Sequence, residues 1–233
     1  MELTDQQIER YSRQILVGQI GGSGQERLLQ SRLLIVGESE DVGPVLAYMA
    51  GAGVGVIHLR AGSADDAQEA ARRAGLIAQT RILNRDVSVS LAREFSPGYS
   101  LTLALIGSAA ALEDARGLCT TPDRASMVFA RLTEAGQIAV LSSRPPCPIC
   151  ADFRLMAPFT QRAGNARLIA MLAAAEALKL LANASTPLPA LIEFDGYATR
   201  TRPLSATVDA RPTDTDRCAC TLIAKRVAGA RDE

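Results

Sequence analysis

Arg32-Leu33-Leu34-Ile35-Val36-Gly37 is an unbroken apolar run closed by a glycine. A strand buried on both faces of a parallel sheet reads this way, because neither face has to meet water. The helical segment Val42–Ala52 and a second apolar run, Val54–Leu59, follow it and complete a β-α-β unit. Downstream, Val87–Leu91, Leu101–Ile106, Ser126–Ala130 and Gln137–Leu141 read as further strands, with helices expected over Ala64–Gln79 and Ala110–Leu118. Alternation of this kind argues for an α/β fold whose mostly parallel sheet carries helices on both faces. Upstream, Thr4 and Gln7 form a capping-box pattern ahead of Ile8, Tyr11, Ile15 and Leu16, which predicts an amphipathic helix over Asp5–Leu16. Gly18–Gly24 should break that helix, and a short one over Gln25–Gln30 should lead into the first strand. The second half predicts a long Ala- and Leu-rich helix, Arg162–Asn183, then strands at Leu191–Phe194 and Ala198–Pro203.

The chain has 233 residues and balances 25 Lys and Arg against 25 Asp and Glu, so no net field draws it to nucleic acid or to an anionic membrane. Its longest apolar stretches, around Val45–Leu59 and Leu168–Leu181, are interrupted by Gly, Arg, Glu or Lys, and no membrane span or secretory signal is expected. Five cysteines, four of them in two close pairs, fit metal binding in a reducing compartment better than a disulfide framework. A cytoplasmic location follows as the expectation. The single histidine, His58, lies inside the apolar run Val54–Leu59 and reads as a strand side chain with a local hydrogen bond rather than a catalytic base. Cys119, the unpaired cysteine, reads as a core residue.

Several local patterns agree in chain order with one family. Asp5-Gln6-Gln7-Ile8-Glu9-Arg10-Tyr11-Ser12-Arg13-Gln14-Ile15, Gly24-Gln25-Glu26, Ser31–Gly37, Ala52-Gly53-Val54-Gly55, Glu134–Ile138, Cys147-Pro148-Ile149-Cys150, Met156-Ala157-Pro158 and Glu176–Leu181 resemble the ubiquitin-activating-enzyme-like adenylyltransferases. Within that family they look like the molybdopterin-synthase and thiamine-pathway enzymes that activate sulfur-carrier proteins. The resemblance covers most of residues 4–220. It implies a Rossmann-like fold and a single domain over 1–233: an N-terminal helical arm at 1–30, a core at 31–145, and a zinc-stapled C-terminal part with antiparallel strands at 146–225.

The departures from the family pattern carry the functional reading. The family binds ATP on a Gly-x-Gly-Gly-x-Gly turn, since only glycine lets the backbone close on phosphates at a helix N-terminus. Here the stretch is Gly37-Glu38-Ser39-Glu40-Asp41-Val42-Gly43, with Ser39, Glu40 and Val42 in place of glycines. Ser39 or Asp41 would then act as an ordinary helix cap and fill the anion site from within. Arg60 or Ala61 stands where a ribose-binding aspartate is expected, and Gly62–Gln68 replaces the segment that supplies phosphate-binding Arg and Lys. Ile106-Gly107-Ser108-Ala109-Ala110 offers no carboxylate for magnesium. Only Ala151–Leu155 separates Cys150 from Met156, so the loop that bears a reactive cysteine in some relatives is missing.

Two features survive. By the resemblance, Cys147, Cys150, Cys218 and Cys220 converge on a structural zinc, although the second pair is one residue short. Arg13 matches an arginine that crosses the family's dimer interface to the partner's nucleotide. The expectation is a catalytically degenerate member, with no catalytic residue, ATP and magnesium not bound, and Gly37 and Arg13 as the remnant of a nucleotide site. It would dimerise with itself or with an active relative and present a scaffold to a small ubiquitin-like carrier protein. The competing expectation is an active adenylyltransferase in which Arg60 or Arg72 holds the nucleotide.

Overall fold

Thr4 caps the first helix as its spacing predicts: its hydroxyl accepts from the Gln7 N–H at 3.3 Å, and the Gln7 side chain accepts from the Thr4 N–H at 3.0 Å. The computed structural model of the chain describes residues 2–60, 88–91, 98–119, 126–133, 136–141, 164–184, 190–195 and 197–203. Within these, helix α1 (Asp5–Ile15) packs on α2 (Gly21–Gln30), which leads into strand β1 (Arg32–Val36), α3 (Ser39–Ala52) and β2 (Val56–Arg60). Then come β3 (Ser88–Leu91), β4 (Leu101–Ile106), α4 (Ala109–Cys119), β5 (Ser126–Arg131) and β6 (Gly136–Leu141). Helix α5 (Ala166–Leu181) and strands β7 (Ala190–Phe194) and β8 (Thr199–Pro203) follow.

The strands form one sheet in the order β3-β2-β1-β4-β5-β6-β7-β8. From β3 to β5 every pairing is parallel, and from β5 to β8 every pairing is antiparallel. The antiparallel portion expected only in the C-terminal part therefore begins already at β6. One sheet face packs Leu33, Ile35, Leu103 and Leu105 against α3 and α5 through Leu46, Met49, Ile169 and Ala173. The other packs Leu34, Val36, Ile106 and Phe129 against Ala111, Leu112 and Ala115 of α4. Alternating strand residues thus go to two separate cores, which is why β1 and β4 had to be apolar throughout.

Two boundaries differ from the sequence reading for physical reasons. Gly18–Gly24 does not act as a break along its whole length, because α2 already begins at Gly21. A side chain at Gly24 would sit 3.3 Å from the Ala182 carbonyl, so that glycine serves close helix approach rather than helix termination. Helix α3 begins at Ser39 rather than Val42, and its first turn holds Glu40 and Asp41, whose charges suit the positive end of a helix. The expected helix over Ala64–Gln79 lies outside the described residues.

His58 on β2 shares a 2.6 Å hydrogen bond with the Tyr99 hydroxyl and meets that ring edge-on, and the Arg32 guanidinium lies 5.7 Å from the Tyr99 centroid. This is the local partner expected for a strand histidine. Burial first, and then the nearby Arg32 charge, hold its imidazole below the ordinary 6.5. The unfolded chain therefore takes up this proton more readily than the folded one, and stability is lost as pH falls through 6.5 toward the folded value. The urea midpoint should drop more between about pH 7.5 and 5.5 for the parent than for His58→Gln. Equal drops would show that His58 contributes nothing to the pH dependence.

Candidate nucleotide crevice

Strand order reverses between β1 and β4, and in sheets of this type the crevice outside the strand ends at the reversal point is where ligands bind. Gly37 closes β1 there, and its N–H donates to the Arg60 carbonyl at 3.1 Å. A Cβ at Gly37 would lie 3.0 Å from the Leu105 carbonyl oxygen and 3.2 Å from a Val42 methyl. Glycine is therefore required by the packing of β1 against β4 and α3, with or without a phosphate.

The next turn carries negative charge. Carboxylate oxygens of Glu38, Glu40 and Asp41 lie within 4.8 Å of one another, with Asp41 fully buried and the two glutamates half-buried. The capping expectation needs correction. The N-cap is Glu38, whose side chain makes no capping bond, while Ser39 and Asp41 already lie inside the first turn. What stands at the positive end of α3 is thus a set of carboxylates held close by the helix geometry, rather than a hydroxyl or carboxylate cap.

At the ribose position Arg60 ends β2 and reaches Asp114 of α4, with its Nη2 and Nε 3.3 and 3.4 Å from one Asp114 oxygen. Both side chains are mostly buried, so the pair ties the end of β2 to α4 across the sheet face. Where a magnesium carboxylate is expected, Ser108 caps α4: its hydroxyl accepts from the Ala111 N–H at 3.2 Å and its carbonyl from the Leu112 N–H at 3.1 Å. Arg131 ends β5 opposite Ile106 and is 6% exposed, and burial lowers the pKa of its guanidinium.

The structure places Gly37 in the crevice but Arg13 on the exposed surface of α1, in the last turn of a helix that packs on α2. The four paired cysteines, Cys147, Cys150, Cys218 and Cys220, lie outside the described residues, as does Arg72. Sequence reasoning missed Asp114 and Arg131. Arg131 did leave a signal, a cation directly at the end of the apolar run Ser126–Ala130. Asp114 left none, because its role depends on a partner 54 residues away.

No known family's model matches the chain. Among individual proteins, the sulfur carrier protein ThiS adenylyltransferase of Escherichia coli strain K12 is 28% identical over 240 residues, spanning 87% of this chain and 93% of that protein. The adenylyltransferase and sulfurtransferase Uba4 of Pyricularia oryzae is 38% identical over 96 residues, which make up 41% of this chain but 20% of that larger protein. In fold the chain is similar to E. coli MccB, solved with ATP, at a TM-score of 0.63 and 17% identity, covering 87% of this chain and 72% of that one. A whole-length relative, shorter matches of higher identity and the shared fold agree with the order of motifs along the sequence. In the order of its motifs and in its fold the chain resembles the ubiquitin-activating-enzyme-like adenylyltransferases.

Proposed function

We propose that this chain is a catalytically degenerate member of the ubiquitin-activating-enzyme-like adenylyltransferase family, a non-catalytic dimer subunit or scaffold for a small sulfur-carrier protein. The observation that carries this reading is the charge at the switch point, where Glu38, Glu40 and Asp41 crowd the helix end that would meet a triphosphate. A carboxylate about 4 Å from a phosphate charge costs about 1–4 kcal/mol at effective dielectrics between bulk water and protein surface. Two such repulsions reach the order of the ~8 kcal/mol that a micromolar Kd represents. Arg60 does not replace the ribose carboxylate, since it brings a cation already engaged with Asp114. Ser108 spends its oxygen on capping α4, and a neutral hydroxyl is a poor substitute for a magnesium carboxylate.

The relatives support the partner side of the proposal. One relative is named for a sulfur carrier protein, and MccB has been solved in complex with N-formylated MccA, which supports a surface for a partner of this kind. Dimerisation through the N-terminal arm and a structural zinc on the four paired cysteines belong to the same proposal. Four thiolates are a donor set that zinc accepts without water or a further ligand, which gives the metal a structural role.

Calorimetry with millimolar ATP and magnesium should give no binding heat, and ATP–pyrophosphate exchange with candidate carrier proteins should stay at background. The rival reading, an active adenylyltransferase, is favoured by the likeness along nearly the whole length of the ThiS adenylyltransferase. Exchange above background with any carrier would establish that rival and end the degenerate reading.

A further inference from the structure

At the opposite end of the sheet from the crevice, where β1, β4 and β5 begin, a cavity of about 370 Å³ opens between α2 and the end of α5. Its apolar wall comes from Leu101, Leu180 and Leu181. Its polar wall is Arg27, Gln30, Ser31, Ser100, Ser126 and Asn183, and no carboxylate is among the described residues that line it. The volume lies in the range of small-molecule sites.

The polar groups are arranged to donate. Arg27 gives one Nη1 hydrogen to the Ala182 carbonyl at 3.2 Å, which fixes the guanidinium at the cavity and leaves its other N–H groups to a ligand. The Ser100 oxygen already accepts from the Arg32 N–H at 3.1 Å, which leaves its proton, with one lone pair, for a ligand. Two helices end here, and their free carbonyls would ordinarily repel an anion. Four of these carbonyls are already engaged: Leu28 O by the Ser31 and Gly55 N–H groups, Lys179 O by Ala184, Leu180 O by Asn183, and Ala182 O by Arg27. Beside them the cavity offers a cation, hydroxyls and side-chain amides above an apolar wall.

We infer that this cavity binds a small organic anion, a carboxylate or phosphate monoester on an apolar body, with the charge on Arg27 and the body on Leu101 and Leu181. Because Arg27 belongs to α2 and Ala182 follows α5, such a ligand clamps the N-terminal helices onto the core. The inference is independent of whether ATP binds in the crevice.

Phenyl phosphate and benzoate serve as probes, with phenol and inorganic phosphate as half-ligands, followed by NMR titration of the intact chain. One of the two complete anions should give saturable shifts at Ser100, Ser126 and Asn183, bind at least about tenfold tighter than either half-ligand, and slow hydrogen exchange in Gly21–Gln30. Which of the two binds tighter tells a carboxylate site from a phosphate site. Arg27→Gln should weaken binding about tenfold or more while Arg27→Lys retains most of it. Ser100→Ala, which leaves the Ala182 contact intact, should weaken it to a smaller extent. Absence of saturable shifts with both anions in the parent protein, or equal affinity in Arg27→Gln, would overturn the inference.

Discussion

Gly55→Ala is expected to cost more than about 3 kcal/mol of folding stability, read as a shift in the urea midpoint. A Cβ at this position would lie 1.9 Å from the Leu29 carbonyl oxygen and 2.8 Å from its carbon. Neither atom can swing aside as a side-chain tip could, because both belong to the backbone at the end of α2. The Gly55 N–H also donates to the Leu28 carbonyl at 3.0 Å, so any shift that makes room for a methyl also strains the bond that joins α2 to the start of β2. Gly51→Ala is the matched control. It sits in the last turn of α3 with nothing within 4 Å of the added carbon, and the lower chain entropy of alanine should stabilise by up to about 0.5–1 kcal/mol. If both substitutions proved neutral, the close approach of α2 to β2 described here would be wrong.

That contrast shows what kind of information the sequence carried. The Ala52-Gly53-Val54-Gly55 signature was legible as a pattern, but its cause was not. Gly53 adopts φ 88° to end α3, and a side chain there would also strike Tyr11 and Gln25 at 2.8 Å. Gly55 exists for the Leu29 contact alone. Gly53 answers to local backbone geometry as well as to its neighbours, whereas Gly55 answers only to a neighbour across a tertiary contact, and only the local requirement can be read along the chain. The strands were legible for a related reason. Burial on both faces forces apolar residues at every position, and this left Leu101–Ile106 readable to the residue.

The crevice was half legible. Loss of the glycines was plain in Gly37–Gly43, but the assignment of Ser39 or Asp41 as the cap failed. Cap identity depends on where the helix starts, and the start lies three residues before the first apolar position, Val42. The fate of Arg60 was not legible at all. Its pairing with Asp114 requires the crossover from β4 to bring α4 over the end of β2, and nothing local to either residue announces that.

Removing the cysteine pairs should produce the second large effect. Purified protein is expected to hold about one zinc per chain by mass spectrometry, and Cys147→Ser combined with Cys150→Ser should abolish it. Folding stability should fall by on the order of 3–5 kcal/mol, since a structural metal binds the folded arrangement and not the dispersed chain, so its binding energy is folding energy. The Cys-x-x-Cys and Cys-x-Cys spacings differ, yet residues two apart in an extended segment project to the same side, and on the zinc proposal Cys218 and Cys220 would share one ion in that way. Cys218→Ser should therefore be nearly as damaging as the change at Cys147, whereas Cys119→Ser, which removes a thiol outside the two pairs, should leave metal content untouched. A strong chelator should reproduce the loss in the parent protein and have no effect on the double serine variant. Protein made in zinc-sufficient medium that carries almost no metal, with a midpoint unmoved by chelator, would remove zinc from the account of this chain and leave the two cysteine pairs as ordinary reduced thiols.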